Sequence, residues 1–266
     1  MSATVRLRSE MLSSYVGRVV GKRAGSDRPM TGMLHGIAAD PASIFAARGP
    51  LALVDAGARD RFLAAARPLA VARGAQVYVA GDGPGGIYGV VTGGIGVEGS
   101  TAHLGPRLGH VMRAGGWFGE GPALRGGVRR LGYRALEDSR LVVVPLPALQ
   151  KLQREDPGIT RLLATISEIS SGIAALSVRE LLIPDAAQRI AAVLLRVTGA
   201  HEGVEPSDPA GFLLTQAELG EMANASRHHV NRVLRQFARA GWIATSYNHV
   251  RLLNLQALTA FACSED

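Results

Sequence analysis

The pattern of apolar residues and glycines changes abruptly near Pro147, and this change limits the folds that the chain can adopt. Between Leu69 and Leu146 the sequence consists of short apolar runs separated by glycines, such as AQVYVAGDGPGGIYGVVTGGIGVEG and LGYRALEDSRLVVVPL. Short strands at this spacing, joined by glycine-rich turns, are typical of a small β-barrel or jelly roll. Before them, the alanine- and leucine-rich stretch from Ala42 to Arg67 reads as short helices.

A long helix is predicted after Pro147. Residues 157–182, PGITRLLATISEISSGIAALSVRELL, contain no internal proline, and apolar residues recur every three to five positions. This period predicts one amphipathic helix of about seven turns. Its apolar stripe can pack against the barrel of the same chain or against the same helix of a second chain. We favour the second chain, with a dimer seam made by Leu162, Ile166, Ile169, Ile173 and Leu176.

The segment LTQAELGEMANASRHHVNRVLRQFARAGWI, residues 214–243, predicts two short helices joined by a tight turn. Thr215 and Glu218 have the spacing of a capping box at the start of the first helix. Asn224 tolerates the left-handed turn conformation, and Ser226 is a good cap for the second helix, which Gly241 ends. The apolar residues of the second helix fall at i, i+3, i+4 and i+7, which predicts one buried stripe: Val230, Val233, Leu234 and Phe237.

The outward side of the second helix is basic. Residues 226–240 hold four arginines and two histidines but no acid, whereas residues 185–266 as a whole carry seven arginines against eight acids. The positive charge of the C-terminal part is therefore concentrated on one helix. This location is more informative about function than the net charge of +7 for the whole chain. A basic second helix of a helix-turn-helix fits the major groove of DNA, where an arginine fork reaches guanine O6 and N7.

We therefore predict base contacts from the outward face of this helix, namely from Arg227, His228, Asn231 and Arg232. Phosphate contacts are predicted from Thr215, Gln216, Ser226 and His229, since polar groups at helix starts meet phosphates. The alternative is a surface helix whose arginines are merely solvated, but the capping box, the turn, the apolar spacing and the acid-free face coincide here. After Gly241, the sequence WIATSYNHVRLLNL reads as a two-stranded wing around Tyr247–Asn248.

The order of barrel, long helix and winged helix-turn-helix resembles the CRP/FNR family of bacterial transcription regulators over about residues 50–260. TQAELGEMANASRHHVNRVL is similar to the family's DNA-binding signature, with Arg227 and Arg232 at its base-reading positions. His228 lies where the family often has glutamate, so the operator is expected to differ at that base. In the barrel, Gly81, Gly93 and FGEG at 118–121 fall where the family keeps its turn glycines and Gly-Glu pair.

The resemblance implies an α+β protein in four parts. These are a poorly ordered N-terminal extension at 1–40, a cyclic-nucleotide-binding-like β-roll or jelly roll at 41–156, a dimerisation helix at 157–183, and a winged helix-turn-helix DNA-binding domain at 184–266. It also implies a homodimer on near-palindromic double-stranded DNA, with RNA polymerase as a further partner. No secretory signal is visible and no apolar run has the length of a membrane span, so we expect a cytoplasmic protein without a membrane partner.

The effector of the barrel is the least determined feature. The resemblance assigns possible ligand-binding roles to Gly119, Glu120 and Arg129 or Arg130, but the hydroxyl that follows the family's arginine is missing here. Ala174 and Ala175 occupy the Thr-Ser positions that contact adenine in members that bind cyclic AMP. Because alanine cannot hydrogen-bond a base edge, we expect DNA binding that does not depend on cyclic AMP. No cofactor is certain: a cyclic nucleotide (cyclic AMP or cyclic GMP), another small effector and no ligand at all remain open.

Other classes of protein fit the sequence less well. GDGPGG at 81–86 lacks the spacing of a phosphate loop and a following helix, and no Ser-His-Asp order or carboxylate pair suggests an enzyme. The single cysteine, Cys263, excludes an intramolecular disulfide, a four-cysteine iron–sulfur centre and a multi-cysteine zinc site. His103 and His110 have no metal-ligand spacing, so no metal and no catalytic residue are predicted. A nucleotide-binding module that acts on a protein partner without DNA remains the alternative class.

Overall fold

The computed structural model describes residues 40–101, 103–200 and 210–264 of the chain. The extension predicted for residues 1–40 therefore lies outside the described residues, apart from Asp40. The Asp40 carboxylate accepts a hydrogen bond from the N–H of Ala42 at 3.2 Å and begins helix α1. As predicted, short helices precede the barrel: α1 Pro41–Ala47, a 3₁₀ turn Pro50–Leu53, and α2 Ala56–Ala64.

The glycine-punctuated region folds into a β-roll of two antiparallel sheets, which confirms the prediction. Its strands are β1 Arg67–Val71, β2 Gln76–Tyr78, β3 Gly86–Thr92, β4 Ile95–Thr101, β5 Leu104–Met112, β6 Trp117–Phe118, β7 Gly132–Ala135 and β8 Ser139–Pro145. One sheet has the order β1-β8-β3-β6 and the other has the order β2-β7-β4-β5. A short helix, α3 Glu120–Arg125, lies between β6 and β7.

Two helices follow the roll, α4 Leu146–Glu155 and α5 Pro157–Leu181, so the predicted long helix is confirmed to within one residue. The first half of α5 packs into the core of the roll. Leu162 and Ile166 are completely buried in a cluster with Phe45, Phe62 and Trp117. The Trp117 ring centroid lies 4.8 Å from that of Phe45 and 5.1 Å from that of Phe62.

The predicted dimer seam therefore needs correction at Leu162 and Ile166, and Ile169, Ile173 and Leu176 are half-buried. Leu162 and Ile166 face the chain's own barrel, and Ile169 and Ile173 line a cavity of about 480 Å³ against residues 110–117 of the same barrel. The stripe has the period of a helix packed on any apolar surface, and this period could not distinguish the barrel from a second chain.

The opposite face of α5 is left uncovered in the single chain. It presents residues at alternating spacings of four and three: Ser167, Ser171, Ala174, Val178 and Leu181. Ser167 is half-buried and the others are exposed. Contrary to the sequence-based expectation, α5 is long and apolar enough to cross a membrane by length and composition alone, with only 22% of its most apolar window buried. Helices buried in a protein core meet the same criterion, and the first half of α5 packs into the core of the roll.

The C-terminal part is a winged helix-turn-helix, as predicted. It contains α6 Ala186–Val197, β9 Phe212–Leu213, α7 Gln216–Met222, α8 Arg227–Arg239, β10 Ile243–Ser246, β11 His249–Leu252 and α9 Leu255–Ala262. The wing strands β10 and β11 are joined by β9, which pairs with β11 and which the sequence did not predict. Helix α9, also not predicted, places the Phe261 ring 5.5 Å from Phe237 and 5.4 Å from Trp242.

Candidate DNA-binding interface and barrel interior

The helix-turn-helix is held by short-range hydrogen bonds that the sequence specifies. Thr215 Oγ1 accepts from the N–H of Glu218 at 3.1 Å, and the Glu218 carboxylate accepts from the N–H of Thr215 at 2.8 Å. These two bonds form the predicted capping box of α7. Asn224 has φ 47° in the turn, and Ser226 Oγ accepts from the N–H of His229 at 3.2 Å to begin α8.

Helix α8 has two distinct faces. The predicted stripe of Val230, Val233, Leu234 and Phe237 is buried in the core of the winged domain. The predicted base-contact residues lie away from it: Arg227, His228 and Arg232 are exposed and Asn231 is half-buried. Arg235 and Arg239 extend the exposed basic face toward the end of the helix. The structure therefore brings the predicted base contacts together on one acid-free surface.

The predicted phosphate contacts are placed less uniformly. Ser226 is exposed, whereas Thr215 and Gln216 are half-buried at the start of α7. The hydroxyls of Thr215 and Ser226 each accept a backbone N–H, which leaves the O–H of each as a donor for a phosphate oxygen.

His229 departs from the prediction. It is half-buried, its Nε2 atom is buried, and its Nδ1 lies 3.0 Å from Nη2 of Arg232. Its imidazole is thus engaged by Arg232 within α8.

The wing ends in an exposed turn. Asn248 has φ 54°, which allows β10 and β11 to be joined by Tyr247 and Asn248 alone. The strands pair from Ile243 opposite Leu252 to Ser246 opposite His249. The Tyr247 side chain is 92% exposed at the tip, so the wing offers an amphipathic group to whatever lies beside α8.

The interior of the barrel is filled by aromatic side chains around one arginine. The rings of Phe118 and Tyr133 stack at 4.2 Å, those of Tyr88 and Phe118 at 5.4 Å, and that of Tyr78 lies 4.9 Å from Tyr133. The Arg129 guanidinium lies 3.9 Å from the centroid of Tyr78. Burial raises the pKa of the Tyr78 and Tyr133 hydroxyls well above their usual value.

Arg129 donates hydrogen bonds to backbone carbonyls of its own barrel. Its guanidinium donates to the carbonyl of Gly83 at 3.3 Å, of Gly119 at 3.1 Å and of Gly86 at 2.8 Å, and also to the carbonyl of Pro84. Four of the five N–H donors of a guanidinium are thereby used.

The approach of Arg129 to Gly119 explains the glycine there. Gly119 has φ 98°, and a Cβ on it would lie 2.6 Å from Arg129 Nη1. Of the predicted ligand residues, the structure brings Gly119 and Arg129 together, with Glu120 half-buried close to the tyrosines and Arg130 exposed. Among the described residues, no group of three or more His, Cys, Asp or Glu could hold a metal ion.

Comparisons with known proteins identify both halves of the chain. The model of the cyclic nucleotide-binding domain matches residues 68–156, and that of the Crp-like helix-turn-helix domain matches residues 188–261. The transcriptional regulator SdrP of Thermus thermophilus is 30% identical over 154 residues, which are 57% of this chain and 71% of SdrP. The chain belongs to the CRP/FNR family of transcription regulators. The members of this family are transcription regulators.

Solved structures share the CRP/FNR fold. FixK2 from Bradyrhizobium japonicum aligns with a TM-score of 0.63 at 20% identity, covering 76% of this chain and 99% of FixK2. A CRP/FNR-family regulator from Thermus thermophilus aligns with a TM-score of 0.57 at 24% identity, covering 74% of this chain and 99% of the other. At these identities the likeness establishes the fold alone.

A buried charged junction connects the parts of this CRP/FNR chain. Nε of Arg196 in α6 donates to both carboxylate oxygens of Glu180 in α5, at 2.9 and 2.8 Å. Nη1 of Arg196 lies 2.7 Å from Nδ1 of His110 in β5 and 3.2 Å from the carbonyl oxygen of Gly109. Burial raises the pKa of Glu180, and the Arg196 charge opposes this rise. One signal of this junction is visible in the sequence, since Arg196 interrupts the apolar run AAVLLRV, but the pattern alone did not single it out.

A second junction joins the barrel hairpin to the helix-turn-helix. The carboxylate of Glu221 in α7 accepts from the N–H of Leu108 at 2.9 Å and lies 3.6 Å from Arg107 Nη1. Leu108 and Val111 also belong to the apolar core of the winged domain. The barrel therefore contacts α7 directly, through residues that the sequence alone did not single out.

Proposed function

We propose that this CRP/FNR regulator acts as a homodimer that reads a near-palindromic double-stranded site through α8, without needing a cyclic nucleotide. The observation that carries the proposal is the acid-free exposed face of α8, built on a buried apolar stripe. A second helix that is held by a capped partner helix and a tight turn is suited to the major groove. Family members with this architecture are dimeric, and a dimer would present two copies of α8 to half-sites about 10 bp apart.

The outward residues of α8 suit different base edges. The exposed forks of Arg227 and Arg232 match guanine O6 and N7, and Asn231 matches adenine N6 and N7. His228 replaces the carboxylate common in the family and favours a different base at its position. The Thr215 and Ser226 hydroxyls, with Gln216, would contact phosphates and fix the register of the protein on the DNA. RNA polymerase in the cytoplasm is the partner on which such a DNA-bound regulator would act.

We predict that Arg227→Ala costs about 1–3 kcal/mol on the preferred site and relaxes the preference at one base position. The cause is the loss of a bidentate contact to one base, so other positions should keep their preference. DNA selection with the purified protein, followed by titration of the selected site, measures both effects. Arg154→Ala, which removes an exposed arginine from α4, is the matched control and should change neither.

Thr215→Ala separates base reading from phosphate contact in the same assay. It should weaken binding to all sequences alike, because it removes a phosphate contact and the cap of α7, and neither of these carries sequence information. Unchanged site preference in Arg227→Ala would contradict the assignment of that arginine.

The proposed independence from cyclic AMP rests on the barrel interior. The guanidinium of Arg129 donates hydrogen bonds to the carbonyls of Gly83, Pro84, Gly86 and Gly119. Aromatic rings, among them the stacked pair of Phe118 and Tyr133, fill the space beside it. A nucleotide phosphate would have to displace those bonds, and Ala174 and Ala175 on the exposed face of α5 offer the base no hydrogen bond. An effector changes DNA affinity only when it binds the active state more tightly than the inactive one.

We predict that cyclic AMP at millimolar concentration raises DNA affinity by less than tenfold, which corresponds to about 1.4 kcal/mol of coupling. A DNA titration with and without the nucleotide measures this. The panel should include cyclic GMP and cyclic di-GMP, since a structural relative from Xanthomonas campestris, CLP, is described as a c-di-GMP responsive regulator. A gain of tenfold or more with any of them would replace the ligand-independent proposal by a nucleotide-responsive one.

A further inference from the structure

We infer that His229 is a positioning residue that orients the guanidinium of Arg232 for base recognition, and that it does not contact phosphate. The inference rests on the proposed function, in which Arg232 reads a base. Its basis is the 3.0 Å contact between Nη2 of Arg232 and Nδ1 of His229 on neighbouring turns of α8. A guanidinium can only donate hydrogen bonds, so Nδ1 must accept and the proton of the neutral ring lies on Nε2.

This tautomer is unfavourable for the stability of the helix-turn-helix. The Nε2 atom of His229 is buried and has no hydrogen-bond partner among the residues that the structure describes. A buried donor without an acceptor destabilises the folded state relative to an apolar group of the same shape. Stability alone would therefore favour an apolar side chain at this position. What histidine supplies instead is the acceptor that faces Arg232.

The contact with His229 orders the Arg232 side chain before it meets DNA and leaves most of its donors for a base. The contact uses one N–H of the guanidinium and leaves four of its five donors, including those of Nη1, for a base. An exposed arginine otherwise samples many rotamers, and ordering it on binding costs entropy. A carboxylate could hold Arg232 too, but it would cancel the charge and repel the phosphates. A neutral imidazole orients the arginine and keeps the whole face positive.

The test compares two substitutions of nearly equal shape, His229→Asn and His229→Leu. The Asn oxygen can accept at the position of Nδ1, whereas Leu cannot accept at all. Arg232→Ala first identifies the base position that Arg232 reads, by selection from a randomised site. At that position we expect His229→Leu to lose about three- to tenfold of the preference, as for one modest hydrogen bond. His229→Asn should stay within about twofold of the unmodified chain, by the same reasoning.

A second measurement separates positioning from a structural role. His229→Leu should unfold at the same or a higher temperature, since it removes the unpaired Nε2–H, so the loss of preference cannot come from a weaker fold. In an Arg232→Ala background, His229→Leu should change the preference no further. His103→Leu, which replaces an exposed histidine of the barrel hairpin, is the control and should change neither preference nor unfolding temperature.

The outcomes are distinguishable. If Arg232→Ala abolishes the preference and His229→Leu keeps it, the positioning role is wrong and the DNA-reading face stands. If His229→Leu weakens all sequences equally, His229 contacts phosphate and the inference is also overturned. If Arg232→Ala itself leaves every base preference unchanged, the proposed role of Arg232 fails and the inference fails with it.

Discussion

Val178→Glu in α5 is expected to give a monomer that binds its operator at least about a hundredfold more weakly, because one dimer engages two linked half-sites. Val178 is 59% exposed on the face of α5 that the barrel does not cover. With Ser167, Ser171, Ala174 and Leu181 it has the spacing at which two helices pack in a coiled coil. A carboxylate there would have to be buried against a second helix without a partner charge.

The chain offers a close control for this substitution. Val128 in the barrel is also 59% exposed, so Val128→Glu places the same charge at a site of equal exposure. It should leave both the dimer and the DNA affinity unchanged. Sedimentation at micromolar concentration and titration of the selected operator measure the two effects. A Val178→Glu protein that sediments as the unmodified chain does would place the dimer contact elsewhere.

The sequence of the same helix predicts its extent but not the surface on which its apolar stripe packs. The stripe through Leu162 and Ile173 correctly predicted a long amphipathic helix, because helical period depends only on spacing along the chain. It could not say which surface the stripe meets, since the barrel and a second helix accept the same pattern. Ile169 and Ile173 are half-buried and line the cavity against the barrel, so a glutamate at either position would disturb that cavity.

The helix-turn-helix was predictable in detail because its determinants are local. The capping box links Thr215 to Glu218, the turn needs only Asn224, and the cap of α8 links Ser226 to His229. Each of these contacts spans at most three residues. The buried stripe and the exposed basic face of α8 then follow from helical period alone.

Features that depend on contacts between residues far apart in the sequence could not be predicted from it. Arg129 meets the carbonyl of Gly83, 46 positions away, and Arg196 meets His110, 86 positions away. Strand β9 is two residues long, too short to show an alternating pattern. The sequence could propose Arg129 as a phosphate arginine, but only the folded barrel shows that backbone carbonyls take its donors.

Arg196→Met is expected to lower the free energy of unfolding by about 3–5 kcal/mol, because it leaves the Glu180 carboxylate buried without its partner. In the junction, the side chains of Arg196 and Glu180 are only 1% and 9% exposed, so water cannot replace the lost contact. Glu180→Leu combined with Arg196→Met should recover the part of this loss that comes from the unpaired carboxylate, because an apolar pair of similar volume carries no desolvation cost. The contacts of Arg196 with His110 and with the carbonyl of Gly109 stay lost in the double variant. Chemical denaturation measures both variants. Lys151→Met, which breaks an exposed pair with Glu155 in α4, is the control and should cost less than about 1 kcal/mol.

The pH dependence of the Arg196→Met deficit tests its cause. Burial already raises the pKa of Glu180 above its ordinary value of 4.5, and Arg196 opposes that rise. Without Arg196 the pKa of the folded state rises further, so in the window above 4.5 the folded variant binds a proton that the unfolded chain does not. Its stability must therefore fall as the pH rises through that window, and the deficit relative to the unmodified chain should be smaller at about pH 5 than at about pH 8. A deficit that did not change with pH would mean that Glu180 stays ionised without Arg196, and that the lost stability comes from the packing of Arg196 and its contacts with His110 and Gly109.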